Sequence, residues 1–359
     1  MDSFAFIIHP IDPKRDVARK YPFLGKILPE EIIHFVCRFW PPVHLSHITG
    51  IRSKATNKEI EGWLIAVPYT PQRMLTLPAK EVYRKIIAAG HLAEELGAKI
   101  LGLGAYTSVV GDGGRTIAQA LDIAVTSGDS YTAAISVYAV QDAALRMGMN
   151  LKQAKVAVVG ATGAIGNVVT QLLVPNVSQL LLIGRHLQRL EVVADNAHIY
   201  GDVNIVISTN VSDIQDADVV ITVTSAGGNL IQSNMLKRGA VVCDVSRPRD
   251  VSFQISRERN DVLVIDGGLV RVPGEVAFGF DYGLPSDLTY GCFAETITLA
   301  FEGLFEDYSI GKVLSMDKVR QIDQLAKKHG FELAALRSFE KQLAESQIEV
   351  IKKNALISN

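Results

Sequence analysis

KVAVVGATGAIGN, residues 155–167, sets an apolar run directly before three glycines, and the glycines directly before the amphipathic segment AIGNVVTQLL. The β-branched run reads as a buried strand and the following segment as a helix. Gly160, Gly163 and Gly166 lie where the chain must turn tightly and approach an anion closely. The unpaired N–H groups and the dipole at the helix start favour that anion, so the stretch reads as a dinucleotide pyrophosphate loop, with Thr162, Ala164 and Ile165 completing it. The spacing is GxxGxxG rather than GxGxxG, a departure common in loops that take NADP.

The segments after this loop decide the fold class. QLLLIGR (179–185), VNIVIST (203–209), ADVVITVTSA (217–226), GAVVCDVS (239–246) and VLVIDGG (262–268) are further β-rich runs, and LQRLEVVADN (187–196) is a second helix. Such alternation predicts a parallel sheet with helices on both faces. An NAD site usually places a carboxylate after the second strand to hold the ribose 2′-hydroxyl. Here Arg185 stands in that turn with Arg189 one helical turn on, and a guanidinium fork suits a 2′-phosphate. NADPH is therefore the expected cofactor. Thr224, Ser225 and Ala226 follow the fourth strand, where a chain passes beside a ribose; a plain turn around Gly227 and Gly228 is the competing reading.

The chain has 359 residues, 48% hydrophobic and 21% charged, with a formal net charge of −2. That size suggests two domains and a sizeable core, and the charge balance argues against a nucleic-acid partner. Cys37, Cys243 and Cys292 are too far apart for a zinc or disulfide framework, so neither a metal site nor an oxidising compartment is expected. MDSFAFIIHP lacks a basic leader, and no apolar run is long enough to span a membrane, which together predict a cytoplasmic protein. Residues 1–75 are rich in proline and turns; 78–96 reads as an amphipathic helix closed by Gly97. TSGDSYTAAISVYAVQDAALRMG (126–148) reads as one long helix, with Asp129 or Ser130 as its cap, linking two domains. The expected division is an N-terminal substrate domain over 1–128, with helices from 304–359 packing back on it, and an NADP-binding domain over 129–303.

GCFAETITLAFEG (291–303) poses the chemical question. Phe293, Ile297 and Phe301 recur at helical spacing and face a core, while Cys292 sits where the helix begins. A helix N-terminus lowers a thiol's pKa, but free cysteine is also a common core residue, and Glu295 one turn on is a like charge. On the residues alone both readings stand. Cys243, inside a strand-like run, reads as core.

Taken together, ILGLGAYTSVV (100–110), TSGDSYTAAISVYAVQDAA (126–144), VAVVGATGAIGN (156–167), VLVIDGGLV (262–270) and GCFAETITLAFEG (291–303) resemble, in matching order, the fatty acyl-[acyl-carrier-protein] reductases that make fatty aldehydes in cyanobacteria. The resemblance runs from the N-terminus to about Phe331. It implies an α/β protein of two domains in a shikimate dehydrogenase-like arrangement, a Rossmann-type NADP-binding sheet plus a substrate-binding α/β domain. It also implies NADPH, Cys292 as the nucleophile, an acyl thioester of acyl carrier protein or coenzyme A as substrate, and a partner enzyme that consumes the aldehyde. Tyr106, Thr107 and Ser108 in GAYTSVVGDGG are candidate substrate contacts, against a structural glycine turn. The N-terminal third matches loosely, CDVSRPRD (243–250) replaces a more glycine-rich turn, and the C-terminal tail is longer. The rivals are a shikimate-type alcohol dehydrogenase, whose lysine loop VPYTPQRM (67–74) would match only with Arg73 in the lysine's place, and a nucleotide-binding module without catalysis.

Overall fold

The structure is a computed structural model that describes residues 2–226 and 228–357. The chain forms two compact units, Met1–Tyr131 with Val270–Glu332, and Thr132–Leu269 with Leu333–Asn359. This differs from the expected division. The dinucleotide unit ends at Leu269 rather than near residue 303, and residues 333–359 belong to it, although 304–332 do return to the N-terminal unit. The helix Glu345–Leu356 accounts for part of the difference: Asn354 Nδ2 donates to the carbonyl of Asn260 at 3.0 Å, and Arg238 donates to the carbonyl of Asn354 at 2.8 Å. Such polar partners could not be assigned from its sequence.

In the first unit the strands are β1 (Ser3–Ile8), β2 (Val43–Arg52), β3 (Glu59–Ala66), β4 (Ile100–Leu103) and β5 (Ala124–Thr126). With a further strand, Gly274–Ala277, at the β2 edge, the sheet runs Gly274–Ala277, β2, β3, β1, β4, β5. β1, β3, β4 and β5 are parallel neighbours, while β2 is antiparallel to β3. The helix Gly291–Glu302 packs on β1 and β4. It is buried nearly all round, as its apolar and small residues require. Phe293 stacks on Phe6 with centroids 4.0 Å apart and 6° between the rings, and meets Phe4 edge-on at 5.9 Å. Burying one such ring contributes about 1.5–3 kcal/mol, and the ring pairing about 0.5–1.5 kcal/mol more. This packing fixes the start of the helix against the ends of β1 and β4.

In the second unit β6 (Lys155–Val159), β7 (Gln179–Ile183), β8 (Asn204–Ser208), β9 (Val219–Thr222), β10 (Val241–Asp244) and β11 (Leu263–Asp266) form one parallel sheet in the order β11, β10, β9, β6, β7, β8. This is the doubly wound Rossmann order, and its switch point, between β6 and β9, is where such sheets bind ligands. The fold is α/β, as expected. Among the described residues no helix is long and apolar enough to cross a membrane.

Candidate active site

The dinucleotide loop sits at the switch point. Gly160 ends β6 at φ +89°, and a Cβ there would lie 3.0 Å from the carbonyl oxygen of Val223, beyond β9. A Cβ on Gly166 would lie 2.2 Å from the carbonyl of Gly160. The loop therefore folds back onto its own helix, Ala164–Leu173, in a cradle that side chains would fill. Gly163 is the residue before that helix and has no side-chain cap, which leaves the first-turn N–H groups facing outward. The cradle fits a pyrophosphate. Arg185 and Arg189 are exposed beyond the end of β7, and neither makes an ion pair among the described residues. Thr224, a candidate ribose contact, is engaged within the protein. Its hydroxyl donates to the buried Asp250 at 2.8 Å and accepts the N–H of Ala226 at 3.1 Å. Asp250 also accepts from Thr222 at 2.5 Å and Ser246 at 2.6 Å, so it anchors the loop that leads to the exposed Ser225 and Ala226. Gly227 lies outside the described residues.

In the first unit the carboxyl ends of β1, β4 and β5 meet the N-terminus of Gly291–Glu302. Tyr290 precedes that helix and supplies no side-chain cap. Cys292 is half-buried in the first turn, and the backbone N–H groups of Phe293 in the helix and of Ala105 beyond β4 favour its charged form. Ala105 holds φ +46° and ψ −118°, a conformation strained for any residue with a Cβ. The N–H of the next residue, Tyr106, donates to Nε2 of His9, beyond β1, at 3.3 Å. Gly128, beyond β5, has φ +75°, and a Cβ there would lie 2.2 Å from the Cα of Cys292. Only glycine lets the chain beyond β5 approach Cys292 so closely.

Charge sets the thiol's resting state. Burial, then Asp129 and then Glu295, push the Cys292 thiol up to about 12, and the two N–H donors pull the other way. At rest Cys292 is a thiol. His9 is held neutral, its pKa lowered to about 4 by burial, consistent with Nε2 accepting from Tyr106. Glu295 is fully buried. Burial raises it, while Thr126 at 2.6 Å, Ser309 at 2.7 Å and the N–H of Tyr131 at 2.8 Å support its charged form.

The predicted trio after Ala105 takes a different part from that expected. Tyr106, Thr107 and Ser108 are buried; Thr107 donates to the carbonyl of Gly104 and Ser108 to that of Ala105, both at 2.8 Å. The loop serves the site through its backbone. His9, Ala105 and Asp129 were not singled out as site residues in the sequence. The signal that finds them is position, since each closely follows a parallel strand at its carboxyl end.

The sequence profile of the shikimate/quinate 5-dehydrogenase family matches residues 141–267, within the long helix and the Rossmann unit. The chain is 30% identical over 307 residues to the aminotransferase PigE of Serratia sp. (strain ATCC 39006), which covers 84% of the chain but only 36% of that longer protein. It is 28% identical over 344 residues to the long-chain acyl-[acyl-carrier-protein] reductase of Synechococcus elongatus, covering 91% of this chain and 96% of that one. Among solved structures, L-tryptophan dehydrogenase from Nostoc punctiforme aligns with 98% of this chain and 87% of its own, at 12% identity and a TM-score of 0.44. The Synechococcus relative and the dehydrogenase family profile support an oxidoreductase of the NAD(P)-dependent kind.

Proposed function

We propose that the protein reduces long-chain acyl thioesters to aldehydes with NADPH, through an acyl group held on Cys292. The observation that carries this reading is a half-buried thiol in the first turn of a helix, with the backbone N–H groups of Ala105 and Phe293 favouring its charged form. The same donors that stabilise a thiolate stand beside the oxygen of a bound acyl group, where negative charge develops during acyl transfer. The Synechococcus relative and the order of the shared motifs support the substrate class. The glycine cradle would hold the pyrophosphate, and Arg185 and Arg189 the 2′-phosphate. NADPH held there supplies hydride for the reduction of an acyl carbon. Covalent capture by Cys292 splits a difficult displacement into two easier steps and releases the carrier thiol before reduction. Transamination consumes a carbonyl compound, so the aminotransferase relative supports a partner enzyme that takes the aldehyde onward.

A basic docking patch for an acidic acyl carrier would use the helix Pro13–Lys20, where Lys14 is exposed. Arg15 and Arg19 are less available, because both pair with Asp16, at 3.2 and 3.3 Å. The test of the function is an assay of C4 to C18 acyl thioesters of carrier protein and coenzyme A with NADPH, with products identified by mass. Aldehyde from long chains is expected. Preference for C4, or oxidation of shikimate without thioester turnover, would contradict the reading. The family profile gives a shikimate-type dehydrogenase its one specific support, but the match ends at residue 267, short of Cys292.

A further inference from the structure

Each large sheet ends in two strand edges, and a protein ordinarily guards such edges with covering loops, irregular pairing or charge. The outer side of β5 is occupied: Asp307 accepts the N–H of Val125 at 2.9 Å, and Tyr308 donates its N–H to the carbonyl of Val125 at 3.0 Å. β11 is flanked by the hairpin Arg337–Gln342, whose Glu340 N–H donates to Asp266 at 2.8 Å. The edge strand Gly274–Ala277 pairs irregularly with β2 and carries the exposed Glu275. β8 has none of these guards. Among the described residues it pairs with β7 alone, in regular register. Residues 203–212, VNIVISTNVS, hold no charged side chain and no proline. A parallel sheet is ordinarily covered on both faces, and β9, β10 and β11 are buried throughout, yet no residue of β8 is buried although Ile205, Val206 and Ile207 form its centre.

We propose that two copies of this chain pair through β8 and form a dimer with one continuous sheet. The hydrogen bonds of β8 give the register. Asn204 donates its N–H to Ser178 at 3.0 Å, and the carbonyl of Ser208 accepts from Gly184 at 3.2 Å, so alternate residues 204, 206 and 208 turn their backbone groups toward β7. Ile205 and Ile207 therefore turn theirs outward. Two identical edges related by a two-fold axis pair antiparallel, and a register centred on Val206 sets each Ile205 against the copy's Ile207. No other symmetric register pairs both outward residues within the strand Asn204–Ser208. The edge is thus complementary to itself, and it carries no charge that would select a partner of opposite sign. Val192, on the helix that packs on β8, and Ile199 just after that helix are exposed and add apolar surface to the junction. The dimer goes beyond the thioester reading and does not rest on it.

The test is sedimentation of the full chain at micromolar concentration, joined to a cysteine scan of the edge. The wild type should sediment as a dimer. In the proposed register the two Val206 residues form a non-hydrogen-bonded pair, with Cα atoms about 4.5 Å apart, within reach of a disulfide. Mild oxidation of Val206→Cys should therefore link two copies at least tenfold faster than Ile205→Cys or Ile207→Cys, with the wild type and its own three cysteines as background. Val206→Lys sets like charges against each other at the axis and should weaken the dimer at least tenfold, with the circular dichroism spectrum unchanged. A monomeric wild type overturns the proposal, whether the edge stays free or belongs to a different protein. A dimer that Val206→Lys leaves intact uses another surface and overturns it too, as does linkage at residue 206 no faster than at 205 and 207. Should Val206→Lys not fold, the cysteine scan decides, since each of its substitutions is small and lies on a strand with no buried residue.

Discussion

Both sheets present loops at the carboxyl ends of parallel strands, and the two ends are built in contrasting ways. At the β6–β9 switch point the backbone is opened: glycines remove side chains, the helix start is uncapped, and the flanking arginines are exposed. At the ends of β1, β4 and β5 the backbone is closed around one atom. The N–H groups of Ala105 and Phe293 favour the charged form of Cys292, His9 fixes the next N–H, and Gly128 brings the chain beyond β5 into contact. The first arrangement suits a large anion that brings its own chemistry. The second suits a covalent step at a single sulfur. Cys243 shows what the second arrangement adds. It lies mid-strand, fully buried, and burial with Asp244 and Asp266 holds it firmly as a thiol.

Substitutions separate the two ends. The largest effect is expected from Cys292→Ala, which should abolish aldehyde formation, a fall of more than a thousandfold, while NADPH affinity measured by calorimetry stays within about twofold, as befits loss of a nucleophile. Equal losses of both would break the division of labour. Gly128→Ala comes next. Left-handed backbone and a Cβ driven into Cys292 should together destabilise the protein by about 2–4 kcal/mol, read as a lower urea midpoint. A neutral outcome would show that β5 does not press on the nucleophile. Arg185→Ala should weaken NADPH by roughly ten- to a hundredfold and leave NADH unchanged, because only NADPH carries the 2′-phosphate. Equal losses would remove the arginine from the cofactor end.

The smallest effect concerns His9. Its folded pKa of about 4 lies below the ordinary 6.5, so between those values the unfolded chain binds more protons than the folded one. Stability from this group is therefore present above pH 6.5 and is lost as pH falls toward 4. His9→Gln keeps an acceptor for Tyr106 but does not titrate. Its stability relative to wild type should be higher at pH 5 than at pH 7.5 by on the order of 1 kcal/mol, after allowance for partial exposure. A pH-independent difference would refute the neutral histidine.

The open end was legible because its logic is local. Strand, glycines and helix lie within residues 155–173, and Arg185 falls at a spacing that the fold dictates. At the closed end the sequence pointed only to Cys292. His9, Ala105 and Asp129 come from three separate strand ends, and nothing in the sequence announces that Ala105 adopts a positive φ or that Glu295 gathers three donors. Tyr106, Thr107 and Ser108 were candidates for substrate contact; in the structure all three are buried, and Thr107 and Ser108 bond to the main chain. The unit boundary differs because a helical segment does not declare in its sequence which unit it returns to.

The central claim is that Cys292 becomes acylated. The direct measurement is the intact mass of the protein after incubation with a long-chain acyl thioester and no NADPH, followed by peptide mapping. The account predicts one added acyl group, located on the peptide that contains Cys292 and discharged as aldehyde when NADPH is supplied. No adduct, or an adduct on Cys37 or Cys243 that NADPH does not discharge, would contradict it.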